Sequence, residues 1–243
     1  TRLGKSSPGP APTPWVRLAV KVIDPVLSYS TYLGGTLNDY PNGVAADADG
    51  NTYVIGATYS ATLAGIESGP DNRVPRAFVT KFKPDGQIEY TSILGPAPKF
   101  DESGPAFSFG RAVAVGPDGL PYVVFESEEG QMVDLGDGDF FPLPGTDQLH
   151  IAKLNEEGAP VFDTVMPVSD DPTPTAPLGH YPPFFFVAGG FALDEAGSAY
   201  LTYQVWRFRI TPGGGAAFGT VIENFITKIG PDGEVDFTEP LSV

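Results

Sequence analysis

Short apolar runs, each closed by a glycine-bearing polar turn, recur along the chain. Val44-Ala45-Ala46 leads through Asp49-Gly50 into Thr52-Tyr53-Val54-Ile55. Ala112-Val113-Ala114-Val115 leads through Asp118-Gly119 into Tyr122-Val123-Val124, and Phe191-Ala192-Leu193 leads through Ala196-Gly197 into Ala199-Tyr200-Leu201. Runs of this length, bounded by Gly, Pro and Asp, predict strands joined in hairpins rather than helices. The turn glycines Gly50, Gly119 and Gly197 stand roughly 70–80 residues apart, so a sizeable unit repeats.

A second hairpin follows each of the first. Ala77–Lys83 turns at Pro84-Asp85-Gly86 into Ile88–Leu94, Leu149–Leu154 turns at Glu157-Gly158 into Val161–Met166, and Phe225–Ile229 turns at Asp232-Gly233 into Val235–Thr238. Trp15–Ile23 and Val26–Leu33 match this hairpin with a shorter turn at Asp24-Pro25. The chain therefore divides into a proline-rich lead over 1–14, read as a linker, an arm or a disordered tail, and an all-β region over 15–243. That region predicts a half-unit at 15–33 and whole units at about 42–94, 110–166 and 189–239. Four antiparallel strands per unit predict a β-propeller-type array of blades, with the small apolar first strand innermost, where backbone crowds and little side-chain volume fits.

The residues of the first unit carry a resemblance. Tyr29-Ser30-Thr31-Tyr32-Leu33-Gly34-Gly35 with Asn38-Asp39-Tyr40, then Gly43-Val44-Ala45-Ala46-Asp47 and Gly50-Asn51-Thr52-Tyr53-Val54-Ile55-Gly56, resemble the bacterial β-propeller repeats called SBBP. Ala77-Phe78-Val79-Thr80-Lys81-Phe82 with Pro84-Asp85-Gly86 completes the pattern. The second and third units keep its hairpins while their Tyr-Ser-Thr-Tyr-Leu-Gly-Gly equivalents decay to Tyr90-Thr91-Ser92-Ile93-Leu94-Gly95 and Asp163-Thr164-Val165-Met166. The resemblance implies a secreted or surface-attached propeller, usually part of a larger protein, and implies no catalytic activity.

A meander places the short first–second and third–fourth turns on one face of the array. The long connections, at about 34–42, 59–75, 95–109, 127–147 and 167–188, then share the other. Variation over a rigid scaffold concentrates function on such loops. Composition narrows the partners. Fourteen basic against 30 acidic residues give a formal charge of −16, which repels phosphate backbones and excludes nucleic acid as a partner. No apolar run reaches the about 18 residues that a membrane-spanning helix needs. The absence of cysteine excludes disulfides and thiolate metal sites. The chain opens on Thr1, which reads as a processed product or a fragment.

Three stretches carry candidate chemistry. The acidic, glycine-bearing stretch with Glu128, Asp134, Asp137 and Asp139 is either a solvated loop or a metal site, and calcium is the cation its oxygens would suit. Along Tyr200–Ile210, Trp206 and Phe208 alternate with Arg207 and Arg209 on a hairpin longer than its siblings. That stripe fits a protein interface or packs on its own chain. Tyr181 and Phe184, in His180-Tyr181-Pro182-Pro183-Phe184-Phe185-Phe186, line a carbohydrate or peptide groove or plug a core strand, and Trp15 begins the unpaired half-unit. Of two histidines, His150 sits within a strand and His180 in a proline-rich loop, and no nucleophile elbow or metal-binding histidine pair appears.

These readings converge on a non-enzymatic, extracellular or cell-surface module for assembly or adhesion, requiring no cofactor. Its partners would be other copies, the remaining blades of a longer chain, or glycans. A carbohydrate-binding or carbohydrate-active propeller is the competing class. Three and a half blades are too few for a closed ring, so open edges are expected.

Overall fold

The computed structural model describes Leu27 and residues 29–67, 74–97, 99–101, 104–134, 140–166, 184–209 and 219–241. These residues form three antiparallel meanders and one short ribbon. The first sheet holds β1 (Asp39–Ala46), β2 (Thr52–Thr58), β5 (Arg76–Phe82) and β6 (Ile88–Leu94), adjacent in that order. Between β2 and β5 the chain makes a separate two-stranded ribbon, β3 (Thr62–Leu63) and β4 (Ile66–Glu67). The second sheet holds β7 (Lys99–Asp101), β8 (Gly104–Val115), β9 (Pro121–Asp134), β10 (Phe140–Leu154) and β11 (Pro160–Val165). The third holds β12 (Phe184–Leu193), β13 (Ala199–Arg209), β14 (Gly219–Ile229) and β15 (Val235–Pro240). Together they make a propeller-like radial arrangement of blades.

The turns form for the reason their residues suggest. In the β1–β2 turn the Asp47 carboxylate accepts from the Asp49 and Asn51 N–H groups at 3.0 and 2.8 Å. Gly50 closes the turn at φ +85°, a left-handed conformation that glycine adopts without Cβ strain. Asp194 repeats the arrangement at the β12–β13 turn, accepting from Ala196 and Ser198 at 3.0 and 2.8 Å.

The core lies between the sheets. Successive strand residues point to opposite faces. On β9, Val123 and Phe125 turn towards the first sheet and meet Ile55, Ala77, Val79 and Leu94, joined by Ala152 and Leu154 of β10. Tyr122 and Val124 turn the other way and join Leu149 and Ile151 against Ala199, Leu201, Tyr203 and Val205 of the third sheet. Where β8 meets β2, a Cβ on Gly110 would stand 2.5 Å from Ile55 and 2.6 Å from the Gly56 carbonyl, so the two backbones touch only because glycine is there. Asn42 Nδ2 donates to the Gly110 carbonyl at 2.7 Å across the same junction.

Several expectations need correction. The innermost strands are not uniformly crowded: Val44 on β1 is 68 % exposed, because it pairs with Val54 on the face of the first sheet turned away from the second, whereas its counterpart Val113 packs into the junction between those two sheets. The 127–147 connection is largely ladder, since β9 runs to Asp134 and β10 begins at Phe140; paired backbone groups sustain a hairpin stem whatever charge its side chains bear. The second sheet gains a fifth strand, β7, at its inner edge. Residues 29–33 are not in a strand, although Val26–Leu33 predicts one; they lie over the face of the first sheet turned away from the second, with the Tyr29 hydroxyl 3.4 Å from Thr52 Oγ1. Trp15–Ile23 lies outside the described residues.

Candidate functional site

Three neighbouring strands of the second sheet bring together groups that are far apart in sequence. The register sets His150 opposite Phe125, Gln148 opposite Ser127, and Ala152 opposite Asp163. Alternation then puts Ser127, His150 and Asp163 on the face that turns to the first sheet. His150 Nε2 lies 2.9 Å from Ser127 Oγ, and His150 Nδ1 lies 2.9 Å from Asp163 Oδ1. The imidazole stacks on the Phe125 ring, centroids 4.3 Å apart and planes 12° from parallel, which fixes its tilt. Ser127 and His150 are 5 % and 7 % exposed, whereas the Asp163 side chain keeps 42 % of its surface in solvent. All three line a cleft of about 460 Å³, walled across the junction by Leu94, Gly95 and Pro96. A hydroxyl, an imidazole and a carboxylate in this order have the connectivity of a proton relay, in which a carboxylate orients the ring and the ring's far nitrogen can take the hydroxyl proton.

The repeat shows that the fold does not require these residues. Tyr53, Tyr122 and Tyr200 each pair with a lysine, Lys81, Lys153 and Lys228, and so align the blades. Counted from these pairs, His150 corresponds to Phe78 and Phe225, Asp163 to Thr91 and Thr238, and Ser127 to Thr58 and Val205. In the outer two sheets the threonine bonds to a threonine beside it, Thr80 to Thr91 at 2.9 Å and Thr227 to Thr238 at 2.8 Å. The middle sheet carries Ala152 in place of that partner, and Asp163 reaches His150 instead. Sequence reasoning passed over His150 because a histidine inside a strand looks like core. Comparing the three blades column by column is the signal that finds it.

A second feature recurs at every blade junction. The Tyr53 hydroxyl lies 3.4 Å from the Gly119 carbonyl of the second sheet, and the Tyr122 hydroxyl donates to the Gly197 carbonyl of the third at 3.0 Å. On the outer strands, Tyr90 and Phe162 cover turn glycines Gly158 and Gly233 of the following sheet, and Ser92 and Thr164 donate to those glycines' carbonyls at 2.7 and 2.6 Å. Tyr200 and Phe237 hold the matching positions on the outward face of the third sheet. There Tyr200 donates to its own Asp194 at 3.2 Å, and Phe237 is 38 % exposed. Each tyrosine sits beneath its lysine, whose ammonium pairs with an acid: Lys81 with Glu89 at 3.1 Å, Lys153 with Asp118 at 2.6 Å, and Lys228 with Asp236 at 2.7 Å. Burial raises the Asp118 carboxyl, but Lys153 and the Leu120 N–H outweigh it and hold the group below its ordinary value. Burial dominates at Glu126 and pushes its carboxyl up despite the pairing with Arg111.

The register also gathers part of the predicted interaction set: Phe184 pairs with Arg207, and Phe185 with Trp206. Phe184 is thus the start of β12, in the ladder rather than in a loop. Trp206 is partly buried and donates to Gln204 Oε1 at 3.2 Å. The side chains of Phe184, Arg207, Phe208 and Arg209, and all of Trp15 and Tyr181, lie outside the described residues. The same holds for Asp137, Asp139 and the side chain of Asp134; Glu128 stands on β9 opposite Asp147. Among the described residues no group of three or more His, Cys, Asp or Glu could hold a metal. Among them, too, no helix is long and apolar enough to cross a membrane.

Asp39 organises the stretch with the closest sequence resemblance. Its carboxylate accepts from Thr58 Oγ1 at 2.5 Å, from the Gly35 N–H at 2.7 Å and from Ser60 Oγ at 3.2 Å. A Cβ on Gly35 would lie 2.1 Å from the Thr62 carbonyl, so this glycine is needed for the connection to close. No curated protein matches the chain. Over residues 28–63, the stretch that Asp39 ties together, the chain is similar to a family described as a beta-propeller repeat.

Proposed function

We propose that this chain is an interaction module of the cell exterior, whose outward third-sheet face docks a further blade, from another copy or from the rest of a longer chain. The observation that carries the reading is the junction code. Tyr53 and Tyr122 each reach a turn glycine of the next sheet, and Tyr200 with Phe237 presents the same pair of groups outward. Val235 and Ile222 add exposed apolar surface to that face. The face is more polar than its siblings, with Thr202 and Asn224 where the second sheet has Val124 and Leu149. A matching partner therefore offers a glycine-turn carbonyl to Tyr200 and hydrogen-bonding groups to Gln204 and Asn224. The propeller-repeat resemblance supports a secreted or surface setting.

Light scattering on the purified chain tests this. The expected result is a concentration-dependent mass above the 25.6 kDa of one chain, returned to one chain by Phe237→Glu. A monomer at every concentration that also fails to bind a hydrophobic dye would overturn the proposal, because the outward face would then be neither paired nor open.

A further inference from the structure

We propose that Ser127 is a nucleophile, activated by His150 and positioned through Asp163, that takes an acyl group from a small ester lodged in the cleft between the first and second sheets. This goes beyond docking: it concerns a different face of a different sheet.

Three observations carry it. The hydrogen bonds run in the order the chemistry needs, Ser127 Oγ to His150 Nε2 and His150 Nδ1 to Asp163, both at 2.9 Å. The groups line a cleft of about 460 Å³ instead of packed interior, so a ligand has room beside the hydroxyl. The other two sheets place Thr58, Phe78, Thr91 and Val205, Phe225, Thr238 in these columns, so the blade closes without the relay. Phe125 and Leu94 give the cleft apolar walls, and Gln148 and Glu129 give it polar lining, a mixture suited to a short acyl ester.

In the step, His150 Nε2 takes the Ser127 hydroxyl proton as Oγ bonds to the ester carbonyl carbon. The carbonyl π pair moves to oxygen and returns as the alkoxide leaves, carrying the proton from His150. Water then repeats the sequence with His150 as base, releasing the carboxylic acid and restoring Ser127. Asp163 touches no reacting atom; it is a positioning residue, holding the Nδ1 proton so that Nε2 faces Ser127.

The test uses the full chain, a fluorophosphonate probe and p-nitrophenyl acetate. The expected result is a single adduct mapped to Ser127 and absent in Ser127→Ala. His150→Phe and Asp163→Thr install the residues of the sibling blades, and circular dichroism confirms that they fold. His150→Phe should slow labelling by about 10²–10⁴-fold. Asp163→Thr should slow it less, and Asp163→Glu, which keeps a carboxylate for the ring, should recover part of the rate, which a merely structural role would not do. Folded wild-type protein that gives no adduct at Ser127 overturns the proposal, as does equal labelling of wild type and His150→Phe. Both results are independent of whether the third-sheet face binds a partner.

Discussion

Replacing Gly158 and Gly119 by alanine, one at a time, separates backbone strain from contact between blades. Both glycines close turns of the second sheet, at φ +81° and +79°, so an alanine at either pays the same left-handed penalty of about 1–2 kcal/mol. Their surroundings differ. A Cβ at Gly119 meets nothing within 4 Å, whereas one at Gly158 would lie 2.4 Å from Ser92 Oγ and 2.5 Å from the Tyr90 ring. Those groups belong to the first sheet, and Ser92 Oγ also donates to the Gly158 carbonyl at 2.7 Å. Relieving the overlap means withdrawing β6 or breaking that bond, at about 1–3 kcal/mol by analogy with overpacked cores. Guanidinium unfolding with a common slope should therefore show Gly158→Ala less stable than Gly119→Ala by about that difference. For a chain of this size each kcal/mol corresponds to roughly 2–4 °C in melting temperature. Equal losses would refute the argument, because the Tyr90–Gly158 contact would then be absent from the folded protein in solution.

Further outcomes follow from the same junctions. Tyr122→Phe leaves the buried Gly197 carbonyl without its donor and should cost about 1–3 kcal/mol, while Tyr200→Phe loses only a half-buried bond to Asp194 and should cost less; matched melts of the two variants check the asymmetry. The buried Tyr90 hydroxyl meets no hydrogen-bond partner among the described residues, and Phe162 fills the same position one blade on, so Tyr90→Phe should stabilise by about 1 kcal/mol; a drop in denaturation midpoint would contradict this. Asp47 and Asp118 are held below their ordinary values, so their contribution is present above the unfolded value near about pH 4 and is lost as pH falls through the folded values. Melting temperature should fall on acidification below about pH 4, with a shallower slope in Asp118→Asn. Glu126 has the opposite sign: its raised carboxyl favours the folded state as pH falls, so Glu126→Gln should gain stability at neutral pH and little in acid.

The scaffold was largely legible because its signals are local. Asp-Gly turns at Gly50, Gly86 and Gly233 and the tyrosine–lysine pairs repeat along the chain, and local chemistry fixes the hairpins they close. The β3–β4 ribbon was hidden because two-residue strands have no periodicity; its tip is Ala64-Gly65, with Ala64 at φ 52°, where nothing in the alanine announces a turn. The Glu126–Asp134 stretch looked like a loop because charge and glycine suggest one, yet its backbone continues the ladder. The relay was illegible for a different reason. Ser127, His150 and Asp163 meet only diagonally across three strands, and a shift of one residue in either pairing would turn one of them to the opposite face.

The two apolar clusters have a consequence for how the chain folds and how it grows. Each contains side chains of two sheets, so a single blade removed from its neighbours would bare apolar residues on both faces, as β9 does with Val123 and Phe125 on one side and Tyr122 and Val124 on the other. Stability therefore accrues per junction, as in a one-dimensional chain of coupled units, and unfolding starts at an end unit, which has only one neighbour. Lengthening such an arc requires no redesign of what is already built. A new four-stranded unit needs only to match the last exposed surface, and in matching it becomes the next template.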